Sequence, residues 1–164
     1  MKRMLTLFLF FIFLCLSLTA CGAKDDEAEK AKVLGLDISK GEEISNYDTH
    51  GGFHGDGTTC IAYRFDDDTI LDEIKSSSEW SEFPLDDTVQ ALVYGLSDET
   101  TQIGPMLNDN DGRPIVPEIQ NGYYLLIDRQ NGAEGDILDR YSFNFTLGLY
   151  DTDTNTLYFC ELDT

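Results

Sequence analysis

The chain has 164 residues, with 11 Lys+Arg against 31 Asp+Glu and a formal net charge of −20. A surface this anionic repels nucleic-acid phosphates and anionic lipid headgroups, which excludes nucleic acid as a partner and favours cations or basic proteins. The length suits one ordinary domain behind a short leader.

The leader comes first. Lys2 and Arg3 open the chain, an apolar run extends from Met4 to Leu18, and Leu18-Thr19-Ala20-Cys21-Gly22 follows. A basic start, an apolar core and small residues before a cut are the parts of an export signal. The apolar run falls short of the ~20 residues needed to span a bilayer. Leu18, Thr19, Ala20 and Cys21 match all four positions of the lipobox, and the stretch resembles that of bacterial lipoproteins. The resemblance implies cleavage after residue 20 and a diacylglycerol on Cys21, which becomes the new N-terminus. It also implies membrane attachment by lipid on the extracytoplasmic face. The organisation expected is thus a signal peptide over 1–20, a lipidated cysteine and charged tether over 21–32, and one domain over 33–164. Without residues 1–20, 9 basic and 31 acidic side chains remain, a net charge of −22.

Gly22–Lys32 (GAKDDEAEKAK) is polar and free of aromatics, as a tether should be. Val33–Ile38 reads as a short strand ending at a Ser39-Lys40-Gly41 turn. Thr58–Phe65 alternates, with Thr59, Ile61, Tyr63 and Phe65 on one face and Cys60, Ala62 and Arg64 on the other. A helix is expected over about 68–78: Asp67, Asp68 or Thr69 caps it, Asp72 and Glu73 fill its first turn, and Ile70, Leu71 and Ile74 mark its buried side. Val89–Tyr94 and Tyr123–Asp128 read as strands from their β-branched and aromatic residues. Between them lies a long connection, Gly95 to Gly122, containing Pro105, Pro114 and Pro117. Such loops are often functional, and this one has room for a short hairpin. Finally Phe143, Phe145, Leu147 and Leu149 alternate with Ser142, Asn144, Thr146 and Gly148. A turn at Asp151–Asn155 then leads into Leu157–Leu162, a hairpin with one buried face.

The fold class expected is therefore α+β: a largely antiparallel sheet of about four to six strands with one helix packed on one face. The end of the chain, NGYYLLIDR and YSFNFTLGLYDTDTNTLYFCELDT, is similar to that of small uncharacterised lipoproteins of Gram-positive bacteria. That similarity implies no activity.

Cys15 leaves with the leader and Cys21 takes lipid, so Cys60 and Cys160 remain in a compartment that permits disulfides. A bridge between them closes a loop of about 100 residues and contributes up to ~4–5 kcal/mol in the chain-entropy model; the other reading is two separate buried thiols.

Both histidines fall in Asp48-Thr49-His50-Gly51-Gly52-Phe53-His54-Gly55-Asp56-Gly57. His50, His54 and one of Asp48 or Asp56 would supply three ligands to a divalent metal, zinc first, while glycines let the loop wrap around it. A Gly-rich turn feeding the next strand explains the same residues. Leu107-Asn108-Asp109-Asn110-Asp111-Gly112 with Glu118 imitates a calcium loop. Leu107 stands where Asp should open it, and Pro114 interrupts it, so an acidic turn is expected. Asp151, Asp153 and Asn155 read as turn residues. No Gly-x-Ser-x-Gly elbow exists, and Cys60 has no evident histidine partner. The function expected is a non-catalytic binding module at the cell envelope, with a basic protein or ligand as its partner. The alternatives are a metal-binding protein or metal-dependent envelope enzyme using His50 and His54, and a surface immunity or inhibitor protein.

Overall fold

The computed structural model describes residues 32–51, 55–97, 99–100, 102–130, 132 and 135–164. The leader, Cys21, most of the tether and His54 lie outside the described residues. Leu36–Thr164 form one unit, and its frame is a six-stranded sheet, antiparallel at every pairing. The strands are β1 (Glu42–Asp48), β2 (Gly57–Arg64), β3 (Ser81–Glu82), β6 (Gly122–Asp128), β7 (Asn144–Asp151) and β8 (Thr156–Asp163). Their spatial order is β1-β2-β8-β7-β6-β3. A second, two-stranded sheet pairs β4 (Leu96–Ser97) with β5 (Gln102–Ile103), so the long Pro-containing connection does hold a short pairing.

Among the described residues there are two α-helices, α1 (Thr69–Ser76) and α2 (Asp87–Val93). The class, α+β on a large antiparallel sheet, matches the expectation; the helix count does not. Val89–Tyr94 was expected as a strand, and it forms most of α2 instead. The signals that decide this are local. The Asp86 side chain accepts from Val89 N at 2.8 Å, which caps the start, and Asp87 sits in the first turn. Val89, Leu92 and Val93, at helical spacing, all point into the core. Gly95, at φ +81°, follows the C-cap Tyr94 and supplies the left-handed residue that ends a helix. Replacing Asp86 by Ala is expected to destabilise the protein by about 1 kcal/mol in urea denaturation, and Asp86→Asn to restore most of it, because Asn caps as well as Asp.

Two further differences appear near the start of the unit. Val33–Ile38 is not a strand: Lys32–Leu34 and Ile38–Lys40 are single 3-10 turns, the second capped by Asp37, whose side chain accepts from Ser39 N. β1 carries no periodic signal, since six of its seven residues are exposed, and it is an edge strand broken by a bulge between Glu43 and Ser45. Charge and a bulge are the means by which edges avoid pairing with other chains. α1 matches its expected start, with Asp67 Oδ1 accepting from Thr69 N at 3.0 Å and Ile70 and Ile74 buried.

β2, β7 and β8 are buried on both faces rather than one. In β7 every residue from Phe145 to Asp151 is buried. Phe145, Leu147 and Leu149 join Cys60, Cys160 and Leu162 beneath Val89, Leu92 and Val93 of α2, with Leu107, Val116, Ile119 and Ile137 completing that core. By alternation Tyr150, Ile61, Leu157 and Phe159 occupy the other face, all 0–1% exposed. Burial, then the nearby Asp68, Asp151 and Asp67, push the Tyr150 hydroxyl up to about 12. Cys60 and Cys160 stand directly opposite in register, Cα atoms 4.1 Å apart, with their sulfurs bonded at 2.04 Å.

Candidate functional site

One end of the sheet gathers charge. Asp48, Thr59, Glu161 and Thr146 are directly opposed across β1, β2, β8 and β7, so alternation puts them in one polar row on the face away from α2. His50, two residues past the end of β1, folds back onto this row. Asp48 Oδ1 accepts from His50 N at 2.8 Å and lies 2.9 Å from His50 Nδ1. The Thr59 hydroxyl stands 3.0 Å from the same Nδ1 and donates to Asp48 Oδ1 at 3.3 Å. On the ring's far side Nε2 is 3.5 Å from Asp163 Oδ2. Arg129 then ties the end of β8 to its neighbours: Nη2 is 2.9 Å from Asp163 Oδ1 and donates to Phe145 O at 3.1 Å. Glu161 Oε1 accepts from the Thr146 hydroxyl at 3.0 Å and lies 4.0 Å from Arg129 Nε.

Gly57 makes this seating possible. A Cβ there would come within 2.8 Å of His50 N, Cα and Cγ, so the histidine lies directly over the glycine backbone. That close approach gives one glycine of the loop a packing reason independent of any metal. Of the proposed ligands, Asp48 and His50 come together; Asp56 is exposed and is not a partner of His50, and His54 lies outside the described residues. Among the described residues no three His, Cys, Asp or Glu side chains are grouped to hold a metal ion. The row, as described, fastens the loop after β1 to the ends of β2 and β8.

The backbone bond from His50 is the largest influence on Asp48, and with the imidazole and Thr59 it holds the carboxyl below its ordinary 3.8, against a smaller opposing effect of burial. A folded pKa below the unfolded one gives stability that is present above the unfolded value and lost as pH falls through the folded value. Asp48→Asn is therefore expected to lower stability at pH 7 and to lose that effect as pH falls through the carboxyl's lowered pKa, checked by urea midpoints at pH 7 and in acid.

The other acidic motifs are turns. Asp109 Oδ1 accepts from Asp111 N and Arg113 N, both at 2.9 Å, and Arg113 Nη1 meets Asp111 Oδ2 at 2.9 Å, while Leu107 is fully buried. In the β7–β8 turn Asp151 accepts from Asp153 N and from the Thr154 hydroxyl, both at 2.8 Å, and Asn155 takes φ 51°.

A second feature lies at the opposite edge of the sheet. Beside β3 runs an open groove with two lobes, about 620 and 440 Å³, that share Phe83, Pro84 and Gln120. The first is walled by Leu85, Tyr94, Val116, Pro117 and Ile119, with Gln90 and Glu118 as its polar groups. Tyr94 donates its hydroxyl proton to Pro117 O at 2.7 Å and accepts from Ile119 N at 3.1 Å. Burial pushes that hydroxyl's pKa up. Gln120 Nε2 donates to Glu118 Oε1 at 2.9 Å, which holds the carboxylate in place. The second lobe adds Glu82, Tyr123 and Lys75. The connection behind this groove is the long, Pro-containing one from Gly95 to Gly122. Phe83 and Pro84, which the two lobes share, carry no motif that marks them in the sequence.

No protein-family model, curated protein or solved structure matches this chain. Among the described residues no helix is long and apolar enough to cross a membrane.

Proposed function

We propose that this protein is a lipid-anchored binding module on the extracytoplasmic face of a cell membrane. The observation that carries the address is Leu18-Thr19-Ala20-Cys21 behind a basic start and an apolar run. Each buried methylene of an acyl chain contributes about 0.8 kcal/mol; one chain holds marginally and two hold stably. A cross-strand disulfide inside the compact unit is consistent with an oxidising compartment. Binding rather than catalysis is supported by the groove beside β3. Its lining pairs apolar walls with a few fixed polar groups, the usual make-up of a recognition site, and among the described residues offers no Ser, Cys or His as a nucleophile or base.

The test of the address is metabolic labelling of the full chain with palmitate in a bacterial host, followed by membrane fractionation. The native chain is expected to carry label and sediment with membranes, and Cys21→Ser to carry none. An unlabelled native chain overturns the reading.

A further inference from the structure

The groove beside β3 combines three properties that together select a ligand class. First, aromatic residues and carboxylates line both lobes: Phe83, Tyr94 and Glu118 in the first, Glu82 and Tyr123 in the second. Because the Tyr94 hydroxyl is spent on Pro117 and Ile119, what that residue presents is its ring. A cation over such rings is held by their quadrupole and, beside a carboxylate, by charge as well.

Second, the field around the groove is anionic. Each described arginine is ion-paired within the protein: Arg64 with Glu42, Arg113 with Asp111, Arg129 with Asp163 and Arg140 with Asp128. Of the described residues lining the two lobes only Lys75 is cationic, in a chain of net charge −20. An anionic ligand is repelled and a cationic one is steered in.

Third, the shape suits an extended chain. The lobes flank β3, an edge strand, and share Phe83, Pro84 and Gln120. Phe83 N donates to Gly122 O, and Ser81 and Glu82 stand opposite Tyr124 and Tyr123. In an antiparallel pair the intervening residue turns its backbone away from its partner, so the N–H and C=O of Glu82 face outward, as a docking strand requires. Pro84, Pro114 and Pro117 stiffen the walls, so little order is lost on binding.

We infer that this groove binds an extended, Lys- or Arg-bearing segment of a partner protein, with apolar side chains against the walls and cationic heads at Glu82 and Glu118. The inference rests on the binding-module reading above and names its partner class.

The test uses the full chain in detergent micelles and two short acetylated, fluorescein-labelled peptides, one alternating Leu with Arg and the other Leu with Glu. The Leu–Arg peptide is expected to bind saturably and the Leu–Glu peptide not to bind. Reversing both groove carboxylates, Glu82→Lys with Glu118→Lys, is expected to weaken binding at least about tenfold. The same charge change away from the groove, Glu43→Lys with Asp139→Lys, is expected to weaken it less than about threefold, since only distant screened charge is altered. All four positions are exposed, so the variants keep the fold, checked by thermal melts. Equal weakening by both pairs, or no saturation, overturns the inference. A chain that carries palmitate yet ignores the peptide overturns the groove and keeps the anchor. A chain that carries none overturns the anchor whatever the peptide does.

Discussion

Replacing Cys60 and Cys160 together by Ala is expected to lower the unfolding free energy by about 3–5 kcal/mol and the thermal midpoint by about 10–15 °C. The bond joins residues 100 apart in sequence, so its loss restores a large set of open conformations to the unfolded chain. In the folded state both residues are almost fully buried, in the core beneath α2, and neither sulfur is open to an external thiolate. Reduction of the native protein is therefore expected to wait for unfolding: dithiothreitol followed by alkylation should trap free thiols quickly in denaturant and slowly without it. A variant melting within a degree or two of the native chain would show that the cross-link constrains nothing the sheet does not already hold.

Phe145→Ala is the second large effect, expected to destabilise by about 3–5 kcal/mol in urea denaturation. Phe145 is fully buried in β7, an inner strand whose hydrogen-bonded neighbours β6 and β8 leave it little freedom to close a void. Its ring belongs to the core that holds α2, and its carbonyl accepts from Arg129, so a shift there is felt in the polar row as well. Phe143, at the margin of the same core and only partly buried, serves as the comparison, with an expected loss nearer 1 kcal/mol on truncation to Ala. Equal losses at the two positions would mean that packing depth does not govern stability here.

Much of the sheet was legible because its strands alternate. The pairing of β7 with β8 and the extent of β2 follow from apolar residues at every second position, and most of β6 from its β-branched and aromatic residues. β1 was not, because an edge strand whose side chains nearly all face solvent leaves no pattern to read. α2 was misread because a six-residue apolar run satisfies a strand and a short helix alike. The feature that separates them is Asp86, three residues before Val89, which caps a helix there. The polar row was half visible. Asp48 and His50 were noticed as neighbours in sequence, but Glu161, Asp163 and Arg129 reach them only through the register of β2, β8, β7 and β6. The alternation that puts Leu157 and Phe159 on one face also carries Glu161 and Asp163 there, and following it to the end of β8 would have found them.

The order of strands has a consequence for how the molecule is made. β2 and β7 are separated in the sheet by β8, the last strand formed as the chain is synthesised. Until residues 156–163 emerge, β2 has only the exposed, charged β1 to pair with, and β7 lacks one of its two partners. Closure of the sheet is then a late and cooperative event, dominated by contacts distant in sequence, which slow folding. A nascent chain of this design stays open until residues 156–163 are made, and locks once β8 slides into the gap between β2 and β7.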